Sequence, residues 1–259
     1  MDRKSFLFVG ALSVIMVSVF LSCKEENAKT LFSPVQAVTT LLQMHDGVVE
    51  ADLALISTET NPHEFVTTAK NVELRAPGGD KVTLTQNSDG HYTASSAGNS
   101  DLVYEGGETY KYSFELTDKA EDQEVEPGDF VAVIEAPDDE VEFTWSKEPS
   151  FAGDTAKLTW KPTNRFAIVS VYGPNGELTY STFDFTEPQF EGDKWARLKT
   201  GGSLSLSVDA FPDAGDYEVT MCAVAKKSDF DEELSADLGA LSGFLAGRCV
   251  EPKKFTLGQ

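Results

Sequence analysis

The residues of this chain whose types and spacing suit chemistry are three cysteines, three histidines and two runs of acids. Their arrangement favours covalent attachment and cross-linking over turnover. Cys23 stands alone near the start, whereas Cys222 and Cys249 fall together near the end. His45-Asp46 and His63-Glu64 each set an acid beside an imidazole, but neighbours on a strand project to opposite faces, so these two and His91 read as surface histidines in loops. The nucleophile elbow Gly-X-Ser-X-Gly, the zinc motif His-Glu-X-X-His, a phosphate loop and Cys-X-X-Cys are all missing. Carboxylates are abundant, yet no two stand out as the acid and base of a glycoside hydrolase. No catalytic residue is assigned and the chain reads as a non-enzyme. The acidic stretch Asp118 to Asp129 and the triplet Asp138, Asp139 and Glu140 offer the hard oxygen ligands that calcium prefers. Neither has the spacing of acids about a central glycine that defines an EF-hand loop, so both read first as solvated acidic loops. No cofactor is required, with calcium as the candidate.

The surroundings of Cys23 give it a role. Arg3-Lys4 is followed by an apolar run from Phe6 to Phe20 and then by Leu21-Ser22-Cys23-Lys24, the order of charged region, hydrophobic core and cleavage site in an export signal. The run is shorter and richer in serine than a spanning helix of about 20 residues. It resembles the signal of bacterial lipoproteins, whose lipobox ends in the acylated cysteine; Phe20 stands where that motif usually has leucine. The resemblance implies cleavage before Cys23, lipid on Cys23, and a chain held to a membrane outside the cytoplasm. Lys24 is not the aspartate of an inner-membrane retention signal, which favours the outer membrane. Residues 1–22 are then the signal and 23–33 a polar tether. With Cys23 spent on lipid, Cys222 and Cys249 remain as an even pair in an oxidising compartment.

Charge narrows the partners. The formal net charge is −22, and because the leader's Asp2, Arg3 and Lys4 contribute +1, the part from Cys23 onward carries −23. Such a field repels nucleic acid and anionic headgroups, so attachment falls to the lipid, which needs more than one acyl chain to hold. With 41% hydrophobic and 10% aromatic residues, the chain has enough apolar mass for real cores rather than disorder.

The elements that must carry these residues read as β-structure with one exception. Ser33-Pro34-Val35-Gln36 looks like a helix start, and Val35, Val38, Leu41 and Leu42 follow at helical spacing, which predicts a short helix over 34–44. From Val49 the period becomes two. Short candidate strands at 49–55, 72–76, 81–86, 91–95, 109–116 and 130–135 are separated by Pro77-Gly78-Gly79-Asp80, Ser88-Asp89-Gly90 and Glu105-Gly106-Gly107-Glu108. The pattern restarts after Pro137 with strands at 142–146, 156–161, 167–172, 177–183, 204–209, 217–225 and 244–250. The expectation is all-β: two antiparallel β-sandwich domains at 34–136 and 137–259, the first led by the helix. Two pairings hint at a repeat. Val72 to Asp80 parallels Val169 to Glu177 in a strand entering a Pro-X-Gly-acid turn, and Gly107-Glu108-Thr109-Tyr110 parallels Gly215-Asp216-Tyr217.

Asp213-Ala214-Gly215-Asp216-Tyr217 resembles the tyrosine corner of immunoglobulin-like folds, which implies an immunoglobulin-like second domain. Val219 stands where true immunoglobulin domains have cysteine, so a broader immunoglobulin- or fibronectin-like sandwich is implied. Cys222 and Cys249 are then placed to bridge across a hairpin with a long connection, Lys226 to Ser242. That connection carries Asp231, Glu232 and Glu233, and with Trp195 in the Gly192 to Arg197 insertion it is the candidate contact surface. Trp145 and Trp160 read as core. The chain is therefore expected to be an exported, lipid-anchored envelope protein acting as a non-catalytic binding or structural module on an unidentified protein or glycan, with a carbohydrate-binding or carbohydrate-processing component as the alternative.

Overall fold

The computed structural model describes residues 35–57, 64–65, 67–116, 128–183, 198, 200–227 and 243–259. In the first half, strands β1 (Val35–Gln43), β2 (Val49–Ser57), β3 (Glu64–Phe65) and β4 (Ala69–Arg75) are followed by β5 (Lys81–Thr83), β6 (Thr85–Gln86), β7 (Tyr92–Ser95), β8 (Thr109–Leu116) and β9 (Gly128–Glu135). The second half holds β10 (Glu142–Lys147), β11 (Ala156–Lys161), β12 (Phe166–Tyr172), β13 (Leu178–Ser181), β14 (Ser203–Leu206), β15 (Gly215–Lys227) and β16 (Gly243–Leu257). Only two short 3-10 turns, Pro77–Gly79 and Val208–Ala210, interrupt the β-structure among the described residues.

These strands make three sheets. A four-stranded sheet runs β5-β4-β8-β9 and a three-stranded one β10-β11-β14, while a nine-stranded sheet follows β13-β12-β15-β16-β1-β2-β7-β6 with β3 on β2. The large sheet crosses from one half of the chain to the other where β16 pairs in parallel with β1, Val38 opposite Gly243 and Gln43 opposite Arg248.

The helix expected over 34–44 is instead strand β1, antiparallel to β2 and parallel to β16. The reason is burial on both faces. Ala37 and Leu41 enter one core while Val38 and Leu42 enter another, so apolar residues appear on both parities and their spacing imitates a helix. The β-branched Val38, Thr39 and Thr40 in its middle suit a strand.

Both small sheets pack on one face of the large sheet. Over the first half, Val72, Leu74, Tyr110, Tyr112, Phe114 and Ile134 meet Ala37, Leu41, Leu53 and Leu55. Over the second, Leu158, Trp160 and Leu204 meet Val169, Val171, Tyr217 and Val219, which places Trp160 in the core as its strand pattern predicts. The opposite face of the large sheet carries a third apolar cluster that includes Val38, Ile56, Ile168, Val224 and Leu245. Each large side chain sealed in this way contributes roughly 1.5–3 kcal/mol.

The two halves repeat a wiring. β5-β4-β8-β9 and β13-β12-β15-β16 have the same order, a hairpin pair followed by two long strands. The hairpin turns bond alike: Ala76 N–H donates to the Asp80 carbonyl and Gly79 N–H to Ala76, as Gly173 N–H does to Glu177 and Gly176 N–H to Gly173. Tyr217 Oη donates to the Asp213 carbonyl at 2.8 Å and accepts from Asp213 N–H at 3.1 Å, the tyrosine corner expected from the sequence. Tyr110 does the same in the first half, donating to Val103 O at 2.8 Å and accepting from Glu105 N–H at 2.7 Å.

The halves differ in their last strand. β9 has 8 residues and β16 has 15, and the surplus carries the β15–β16 ribbon out of its own half and into the other. Phe244 and Ala246 are buried in the first half's core, where the Phe244 ring meets Tyr112 edge-on at 4.9 Å. Cys222 and Cys249, directly opposed in the ladder, are joined by a disulfide. That bridge sits one residue beyond the last β1–β16 pair, at the point where the ribbon leaves one half for the other.

Candidate functional site

A cleft of about 500 Å³ opens at the outer end of β12, β15 and β16, lined by Tyr172, Gly173, Gly176, Asp216, Tyr217, Glu218, Lys254, Phe255 and Thr256. Its floor is a cross-strand row: Tyr172 lies opposite Glu218 and Glu218 opposite Lys254, with Asp216 opposite Thr256 in the next row. The intervening residues Val171, Tyr217 and Phe255 face the core, where the Tyr217 and Phe255 rings stack at 6.2 Å. The period of two therefore delivers aromatic and charged side chains to one outward surface. Lys254 Nζ pairs with Glu218 Oε2 at 3.1 Å, and Thr256 Oγ1 donates to Asp216 Oδ1 at 2.5 Å.

The rim depends on backbone. The Gly173–Glu177 turn closes with Gly176 at φ +79° and with Asn175 N–H donating to Glu177 Oε2 at 2.9 Å. Pro174 of this turn lies against Gly215, where a Cβ would come within 2.7 Å of Pro174 Cγ and where φ is +141°. The hairpin thus seats on the tyrosine-corner turn and fixes one wall of the cleft. Burial pushes the Tyr217 phenol above its ordinary value of 10.0, against the lowering effect of its bond with Asp213.

The cleft is far from where the chain enters. β1 and β16 run the same way, and from Gly243, opposite Val38, to Lys254 an extended strand covers roughly 35 Å.

The other residues singled out by sequence fall elsewhere. Cys23, Trp195, Asp231, Glu232 and Glu233 lie outside the described residues, as does most of the acidic stretch from Asp118. Asp138, Asp139 and Glu140 form the joint between β9 and β10, and arginines hold it. Arg165 Nε donates to Asp139 Oδ2 at 2.8 Å, and its Nη2 reaches the same oxygen. Arg248 Nη1 donates to the carbonyls of Asp138 and Asp139 at 3.3 and 3.4 Å, with its guanidinium 5.2 Å over the Tyr104 ring. Tyr104 Oη in turn donates to Pro137 O at 2.9 Å. Burial holds the Tyr104 phenol well above its usual range, with the Arg248 guanidinium opposing. The Asp139 carboxylate is thus met by a cation from the protein itself, and among the described residues no three acids, histidines or cysteines gather as a metal site.

His91 corrects the sequence reading. Expected at the surface, it is only 4% exposed, with Nδ1 3.1 Å from Asp52 Oδ2 and its ring edge-on to Phe65 at 4.6 Å. Asp52 is on β2, distant in sequence, so the acid that meets this imidazole was invisible to a search of neighbours. His45 is exposed in the turn after β1, as expected, and His63 lies outside the described residues. The cleft was also missed, although its signal was present: Asp216, Glu218, Lys254 and Thr256 alternate with core residues along two long strands.

No protein-family model matches the chain, and no curated protein sequence matches it either. Among solved structures it is similar to the FN1–FN3 domains of chicken CNTN1, with 11% identity over 89% of this chain and 66% of that one at a TM-score of 0.24. The MG0-NIE-MG1 portion of native alpha-2-macroglobulin from Escherichia coli gives 10% identity, 85% and 73% coverage and a TM-score of 0.26. The Ig1–Ig3 ectodomain of mouse nectin-like molecule 4 gives 11%, 87% and 65%, and 0.21. At these scores no site, partner or activity carries over to this chain.

Proposed function

We propose that this is an exported envelope protein, anchored by lipid on Cys23 at the outer membrane, that acts as a non-catalytic binding or structural module. The observation that carries the reading is the placement of β1. The strand that follows the tether is hydrogen-bonded on both sides, to β2 of the first half and to β16 of the second. Tension on the anchor is therefore delivered to both halves at once. The Cys222–Cys249 disulfide supports export, because such bonds persist in oxidising compartments, and it leaves Cys23 as the one cysteine available for lipid. The net charge of −22 leaves lipid as the means of attachment.

The test is Cys23→Ser expressed in a bacterial host beside the wild-type chain. The wild type should pellet with membranes and label with a clickable fatty acid, and the variant should lose the label and appear in soluble fractions. Membrane pelleting of an unlabelled variant would refute the anchor.

A further inference from the structure

We propose that the cleft on β12, β15 and β16 is a binding site for a neutral saccharide, which names the ligand class of the module described above and rests on that reading. Size comes first: about 500 Å³ lies within the range of roughly 300–1,000 Å³ typical of small-molecule sites. β12 and β15 are paired on both sides at Tyr172 and Glu218, so the middle of the floor offers side chains rather than free backbone. Anions are disfavoured by Asp216 and Glu218 inside a chain of net charge −22. A bare cation finds two carboxylates already engaged, one by Lys254 and one by Thr256.

What the row does match is a ring that is apolar on its face and hydroxylated at its rim. Tyr172, 36% exposed, supplies an aromatic surface for the C–H face of a pyranose. Asp216 and Glu218 accept hydrogen bonds from hydroxyls, Lys254 donates to them, and Thr256 Oγ1, whose one proton goes to Asp216, accepts. Because Glu218 is already paired with Lys254, a neutral ligand exchanges hydrogen bonds there without separating that ion pair from its counter-charge.

Saturation-transfer NMR on the full-length chain in a non-glycosidic detergent tests this, with a panel of neutral glucose-, galactose-, mannose- and N-acetylglucosamine-based oligosaccharides as probes. At least one should receive saturation, falling at least about fivefold in Tyr172→Ala and being retained in Tyr172→Phe. Glu218→Leu, a change at a half-buried side chain on the outward face, should weaken the same signal. Silence across the panel, or equal transfer in Tyr172→Ala and Glu218→Leu, would overturn the site. Membrane fractionation of the same chain reads the anchor separately, so an anchored protein with no saccharide signal removes this inference alone.

Discussion

The first and second halves of this protein share a wiring and differ in how it ends. Each has a Pro-X-Gly hairpin turn, a tyrosine that bonds back to the turn before its strand, and a four-strand order built on them. In the first half the last strand, β9, stops at the sheet edge after 8 residues, whereas in the second β16 continues to 15 and pairs with β1. Extending one strand joins the second half's four-strand unit to β1 and β2 of the first half in one hydrogen-bonded sheet, while β5-β4-β8-β9 stays a sheet of its own packed on it. Shared local geometry therefore says little about mechanical independence, which is decided by where the longest strand finds its partners.

The comparison breaks most visibly at Phe244. This residue belongs to the second half by sequence and to the first half's core by contact, at 1% exposure. Phe244→Ala should cost about 3–5 kcal/mol and destabilise both halves together, as read by urea unfolding followed with probes in each. Loss confined to the second half would show that the ribbon is a passenger in the first. Removing the bridge with Cys222→Ala and Cys249→Ala comes next. Freeing a 27-residue separation should cost about 3–4 kcal/mol on the chain-entropy account and lower the melting temperature by about 10 °C. An unchanged melting temperature would mean that the ribbon is held by packing alone.

The tyrosine corners sharpen the likeness and have the smallest expected effect. Tyr110→Phe and Tyr217→Phe each delete a donor and strand one backbone N–H, at Glu105 and Asp213, and each should cost about 1 kcal/mol. Both phenols are raised above 10.0, chiefly by burial. Their contribution is therefore complete below pH 10 and lost as pH climbs through the raised folded values. Each phenylalanine variant should show a shallower alkaline loss of stability than the wild type, and unequal effects at the two sites would weaken the claim of equivalence.

Much of this was legible in the sequence where a signal was local. Thr109–Leu116 and Ala156–Lys161 match their expected strands to the residue, and the corner at Asp213 to Tyr217 was legible through its resemblance to immunoglobulin-like folds. What failed was long-range. β1 is buried on both faces among residues that follow it in sequence, so its pattern imitated a helix. His91, just before β7, meets Asp52 of the neighbouring β2 only once those strands pair. The cleft needed the register of three strands before Tyr172, Glu218 and Lys254 became neighbours, and no spacing within one strand encodes that register.

Calorimetry of the oxidised chain is the direct test of the claim that β1, the β15–β16 ribbon and both halves act as one element. The account predicts a single cooperative transition whose calorimetric and van't Hoff enthalpies agree, because β16 is part of both cores. Two separable transitions in the oxidised protein, one for each half, would contradict it.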